Sequence, residues 1–112
     1  RSPGSLEARV LYDADKLDAM GAIGIARAYA LAGATGQRLW GEVPVGYGRR
    51  SRDDARTDWI EGEHTPVHEY VFKLAHLRDS LHTPTARHIA ASRHAFMATF
   101  FSRLGEEVEG RL

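Results

Sequence analysis

Residues 6–29 read LEARVLYDADKLDAMGAIGIARAY. Asp13, Asp15, Lys16 and Asp18 crowd into about one and a half helical turns, in a segment where Leu6, Val10, Leu11, Ala14 and Leu17 otherwise recur at helical spacing. A run of small and aliphatic residues, GAIGIAR at 21–27, follows at once. An ionised carboxylate left unpaired on a buried helix face costs several kcal/mol or is driven to take up a proton. Carboxylates at this density inside an amphipathic helix point to a metal or phosphate-handling site.

Successive helical residues are turned by about 100°, so Asp15 and Asp18 are neighbours at i and i+3, with Leu11 and Ala22 on the same strip. Asp13 is turned about 200° from Asp15 and points elsewhere. The competing reading is an exposed charged face on which Asp13 pairs with Lys16 at i, i+3. Arg27 stands in an apolar run and needs an anion or a carboxylate there. Asp18 is the favoured partner, and a phosphate is the alternative.

The helix carrying these residues starts from Ser5 as N-cap, with Glu7 in the first turn, and is expected over residues 6–20. Gly21 and Gly24 weaken helix propensity by about 1 kcal/mol each, yet the apolar pattern around them continues to residue 32 and predicts a buried second helix ending at Gly33. Residues 34–64 carry Gly36, Gly41, Pro44, Gly46, Gly48 and Gly62, and no period survives among them. A connection this long is usually functional or disordered, so residues 33–65 are read as an arm or lid. Trp40, Tyr47, Trp59 and Ile60 imply that parts of it dock. Its cluster of Arg49, Arg50 and Arg52 is largely cancelled by Asp53 and Asp54, which argues against a nucleic-acid surface.

Thr65-Pro66 and Thr83-Pro84 are helix starts, each a capping hydroxyl followed by a proline suited to the first helical position. Helices are predicted at 66–81 and 84–108, forming an antiparallel hairpin (66–109) about a turn at His82. Val67, Tyr70, Val71, Leu74, Leu77 and Leu81 make one apolar face. Ile89, Phe96, Met97, Phe100, Phe101, Leu104 and Val108 make the other. The expectation is therefore a single all-α unit of 112 residues.

Composition narrows the function further. Fifteen basic and fifteen acidic residues leave no global field that would draw the protein to nucleic acid or an anionic membrane. The chain has no Cys, which removes disulfides and thiolate chemistry. No apolar run approaches the roughly 20 residues of a bilayer span, and the opening RSPGSLEAR lacks a signal-peptide core. A soluble, cytoplasmic protein is expected. The six His residues do not form a metal set by spacing. His64 lies outside the helix that carries His68, His88 and His94 are six apart, and the His68-Glu69 pair lacks the second His of a zincin motif. His68 and His94 are expected in hydrogen-bonded packing roles.

The run DADKLDA followed by GAIGIAR resembles the closing motif of the HD-domain metal-dependent phosphohydrolase superfamily. The later HEYVFKL (68–74), Thr83 and RHAFM (93–97) follow in the order expected of that branch. The likeness covers residues 6–110. It implies a helical HD-type fold and a divalent metal cofactor, with Asp15 completing the metal shell, Lys16 meeting substrate phosphate, and Asp18 orienting its neighbours. It also implies a phosphate-ester or pyrophosphate substrate, nucleotides above all. The His and His-Asp pair that name the superfamily belong upstream of the Asp motif, and this chain has no His before His64. It is thus expected to be the C-terminal half of such an enzyme, inactive alone and completed by an N-terminal half. The alternative is a non-catalytic helical module, a homo-oligomer burying an apolar patch of Leu6, Val10, Leu17, Ile23 and Ile25.

Overall fold

The computed structural model describes residues 4–43 and 64–112. Among them are four α-helices and one 3₁₀ segment, with no strand: α1 (Leu6–Leu17), α2 (Gly21–Thr35), α3 (Pro66–Phe72), the 3₁₀ segment Leu74–Ser80, and α4 (Pro84–Val108). The arginine cluster, Tyr47, Trp59 and Ile60 lie outside the described residues.

The local start signals operate as their chemistry requires. The Ser5 hydroxyl accepts from Ala8 N at 3.1 Å and opens α1. The Thr65 hydroxyl accepts from Val67 N at 3.2 Å and His68 N at 3.4 Å, while His68 Nδ1 accepts the Thr65 N–H at 3.3 Å. This is a capping box with imidazole in the place usually held by Glu or Gln. The Thr83 hydroxyl accepts from Ala86 N at 3.2 Å and opens α4.

Helix ends depart from expectation. The first helix, expected to run to residue 20, stops at Leu17, because Met20 turns extended and inserts, fully buried, into the core. Gly24 is what allows the tight corner. A Cβ there would lie 2.3 Å from the Ala19 carbonyl carbon and oxygen, and backbone cannot step aside. Gly24→Ala should therefore destabilise by about 1–3 kcal/mol in urea denaturation, whereas Gly33→Ala, inside the helix with nothing near the added methyl, should stabilise by about 0.5–1 kcal/mol. The second helix runs past Gly33 to Thr35. Its end is set by Gly36, whose φ of 76° supplies the left-handed cap, with Gln37 N donating to Ala32 O at 2.9 Å.

The helix expected over 66–81 breaks at Lys73. Leu74 and Leu77, three residues apart, both enter the core in the tighter 3₁₀ winding, and the Val71 carbonyl at the break lies 3.2 Å from His76 Nε2. Tyr70 of α3 stacks on Phe101 of α4, at 4.4 Å between centroids.

The core is built from Met20, Ile25, Leu74, Leu77, Leu81, Ala86, Ala90, Met97 and Phe101. On α4 the buried strip follows Ala86, Ala90, Met97 and Phe101, while Ile89, Phe96 and Val108 of the expected stripe are exposed. The small Ala86 and Ala90 let neighbouring elements approach more closely than the larger residues beside them would. No helix among the described residues is long and apolar enough to cross a membrane.

Candidate functional site

The acidic helix divides its carboxylates between inside and outside. Asp13 is 2% exposed, and its two oxygens accept the His82 N–H at 2.9 Å and the Thr83 N–H at 2.8 Å, about seventy residues along the chain. These are the amides just ahead of α4, whose own first turn is closed by the Thr83 hydroxyl and Pro84. Burial by itself would raise the Asp13 pKa. The backbone hydrogen bond from His82 and the hydroxyl and backbone hydrogen bonds from Thr83 outweigh it, and the carboxyl is held below its ordinary range. The pairing of Asp13 with Lys16 considered from sequence does not form.

Asp15 points the other way. It is exposed, as are Asp18, Leu11 and Ala22, so the whole strip read from sequence is one open face. Lys16 lies half-buried beside it, with its ammonium 5.1 Å from the centre of the Tyr12 ring, which in turn meets His82 edge-on at 4.9 Å.

Arg27 does not form the expected salt bridge with the Asp18 carboxylate. Its Nη1 donates instead to the Asp18 main-chain carbonyl at 3.0 Å, closing the C-terminal end of α1. A helix C-terminus is the negative end of the backbone dipole, so it satisfies the guanidinium without a carboxylate. Arg27 also lines a cavity of about 520 Å³ with Leu31, His64, Glu69 and Lys73. Glu69 is shared there between His64 Nε2 at 3.4 Å and Lys73 Nζ at 3.9 Å. Asp15 is not among the residues lining this cavity.

Sequence reading missed Arg93. Its Nη1 donates to the Leu17 carbonyl, the last of α1, at 2.6 Å, and its stem crosses Gly21, where a Cβ would come within 2.9 Å of Arg93 Cγ. The clue available in the sequence was the glycine itself, although its φ of 69° also calls for glycine locally.

Among the described residues no group of three or more His, Asp and Glu side chains converges to hold a metal. His68 serves the Thr65 capping box, as expected of a hydrogen-bonded packing role, and His94 brings one correction. His94, expected to be hydrogen-bonded, has a buried Nδ1 with no partner among the described residues. Burial, reinforced by Arg78 and His76 and opposed by Asp79, pushes its pKa down. The unfolded chain therefore takes up a proton that the folded chain resists, and His94 should withdraw stability as pH falls from about 6.5 toward its depressed folded value. Thermal unfolding between pH 7.5 and 5 checks this, since His94→Gln should flatten part of the slope.

No protein-family model matches the chain. Bacillus subtilis YpgQ is 36% identical over 110 residues, covering 98% of this chain and 44% of YpgQ. The crystal structure of YpgQ in complex with ADP matches over 92% of this chain and 44% of its own, with a TM-score of 0.69. A Lactobacillus plantarum crystal structure gives 0.79 at 33% identity over 98% of this chain and 52% of its own. An HD-superfamily hydrolase from Bacillus thuringiensis gives 0.71 at 32% identity over 94% of this chain and 47% of its own. The chain has the all-α HD-type fold. It spans less than half the length of YpgQ, the curated relative that it matches. Within this HD-type fold the open α1 face combines Leu11, 72% exposed, with Asp15 and Asp18.

Proposed function

We propose that this chain is the C-terminal portion of an HD-type metal-dependent phosphohydrolase acting on phosphate-ester or pyrophosphate bonds, with nucleotides as substrates. The observation that carries the reading is the outward Asp15 on an open face of α1 in a fold shared with an HD-superfamily hydrolase. The ADP complex of YpgQ supports a nucleoside phosphate as the substrate class. The donor set suits part of a divalent-metal shell. Asp15 offers an exposed carboxylate with Asp18 three residues on, and the imidazoles that complete such a shell would come from an N-terminal portion packed on this strip, which Leu11 and Ala22 share. A bound divalent ion would supply Lewis-acid polarisation of the phosphoryl group and activation of water. Lys16 neutralises substrate phosphate. Arg27, on the cavity side of α2, provides a second cation.

The test is a chimera in which this chain replaces its matched segment of YpgQ, assayed with manganese, cobalt or magnesium against nucleoside di- and triphosphates and an aryl phosphate. Metal-dependent turnover by the chimera, with none from the 112-residue chain alone, is the expected result. Turnover by the chain alone that disappears in Asp15→Asn would show that it assembles a site by itself and would sink the divided-site reading.

The exposed apolar residues of α1 and α2 favour a second reading, a non-catalytic module that self-associates. Leu6, Val10, Leu11 and Ile23 are exposed, whereas Ile25 is buried and Leu17 packs against the core, so the patch is smaller than the sequence implied. Sedimentation equilibrium at micromolar concentration should show association, and a clean folded monomer would remove this reading.

A further inference from the structure

We propose that Asp13 and Arg93 are positioning residues for Asp15, tying both ends of the acidic turn to α4 so that α1 cannot roll about its axis. The inference rests on Asp15 as the metal ligand, and it assigns a role to two residues that touch neither metal nor substrate.

The geometry is that of a two-point brace. Asp13 grips the amides that precede α4, with oxygen-to-nitrogen distances of 2.9 and 2.8 Å. One turn further along α1, Arg93 from within α4 reaches the Leu17 carbonyl at 2.6 Å. Asp15 lies between the two attachments, on the opposite side of the helix. A single hydrogen bond would let α1 pivot, whereas three of them, two at Asp13 and one at Leu17 a turn further on, fix the rotation of the helix about its axis. That rotation determines where Asp15 aims, because a carboxylate about 200° from Asp13 is displaced by every degree through which the helix rolls.

Apolar packing alone would hold this register weakly. On α1 only Asp13 is buried, and Leu6, Val10 and Leu11 face solvent. Leu17 packs against the core at the end of the helix, and the polar ties supplement that one apolar contact. Gly21, whose φ of 69° already calls for glycine, also leaves open the path by which Arg93 reaches Leu17, since a Cβ there would come within 2.9 Å of Arg93 Cγ. Metal ligands must be held close to their productive geometry by groups behind them, and Asp13 and Arg93 do this for Asp15.

The chain has no cysteine, so Asp15→Cys with Ser102→Cys on exposed α4 gives two clean nitroxide sites in the full 112-residue protein. Electron–electron double resonance in sucrose, which favours the compact state, then reads the distance between them. The parent should give one narrow distribution. Asp13→Asn and Arg93→Met should each broaden it to about twice that width, while Arg103→Gln, whose ion pair with Glu107 stays within α4, leaves it unchanged. Circular dichroism selects the variants that keep their helix content, and Arg93→Met carries the test if Asp13→Asn does not fold. An unchanged distribution in a folded variant with a lowered melting temperature overturns the proposal, since it leaves the two residues with stability alone. The labels report the aim of position 15 whether or not a metal binds there, so this result and the chimera assay fail separately.

Discussion

Asp13→Ala is expected to lower the free energy of unfolding by about 3–5 kcal/mol, while Asp15→Ala changes it by less than about 0.5 kcal/mol. Two residues apart and identical in chemistry, the carboxylates differ in what they leave behind. Removing Asp13 strands the His82 and Thr83 amides at a part-buried helix entrance, where each unsatisfied donor costs about 1–3 kcal/mol, and adds a small void. Removing Asp15 strands nothing, since its oxygens face water. Asp13→Asn should fall between the two. Its amide oxygen accepts one N–H, while its NH₂ meets the other donor head-on. Against a total stability of about 5–15 kcal/mol, the Asp13→Ala loss is large enough to shift the thermal midpoint by more than about 10 °C. Urea denaturation of both variants checks the contrast. Equal, small losses would mean that Asp13 does not anchor α1.

Asp15→Asn in the chimera with YpgQ is expected to lower metal affinity and turnover together, by roughly a hundredfold or more, with the fold intact. Asparagine keeps the size of the side chain and removes the negative charge that draws a divalent ion. Lys16→Met should act differently, weakening substrate phosphate binding several-fold while metal content holds, because a lysine ammonium cannot serve as a ligand to a cation. Metal content by elemental analysis, read beside steady-state kinetics, separates the two roles. Loss of metal in Lys16→Met with retention in Asp15→Asn would overturn the assignment of both residues. Asp13→Asn in the same protein should show its effect first in the melting temperature, so all three substitutions must be compared on folded material.

The parts of this fold that could be read from the chain are those whose partners lie within about four residues. Ser5, Thr65-Pro66 and Thr83-Pro84 open helices because a hydroxyl and the amides it caps are adjacent in sequence, and all three starts are present. The all-α class follows from the same helical periodicity. That Leu11, Asp15, Asp18 and Ala22 share one strip was likewise legible, since helical geometry alone dictates which residues share a side.

Tertiary structure decided which side of that helix faces in. On α1 it is Asp13 that is buried while Leu6, Val10 and Leu11 are exposed, since the Asp13 carboxylate and the Leu17 carbonyl hold the helix to groups about seventy residues or more away. It also decided where helices stop. Met20 ends the first helix early by entering a core assembled from the 3₁₀ segment and α4, and Lys73 breaks the third so that Leu74 and Leu77 can reach that core. Arg27 looked like one half of a salt bridge, yet a helix end supplied its acceptor. Periodicity and capping are properties of a few consecutive residues, and sequence order specifies them completely. The direction in which a carboxylate points, and whether it anchors a helix or waits on an open face, depends on donors that only folding brings within 3 Å of it.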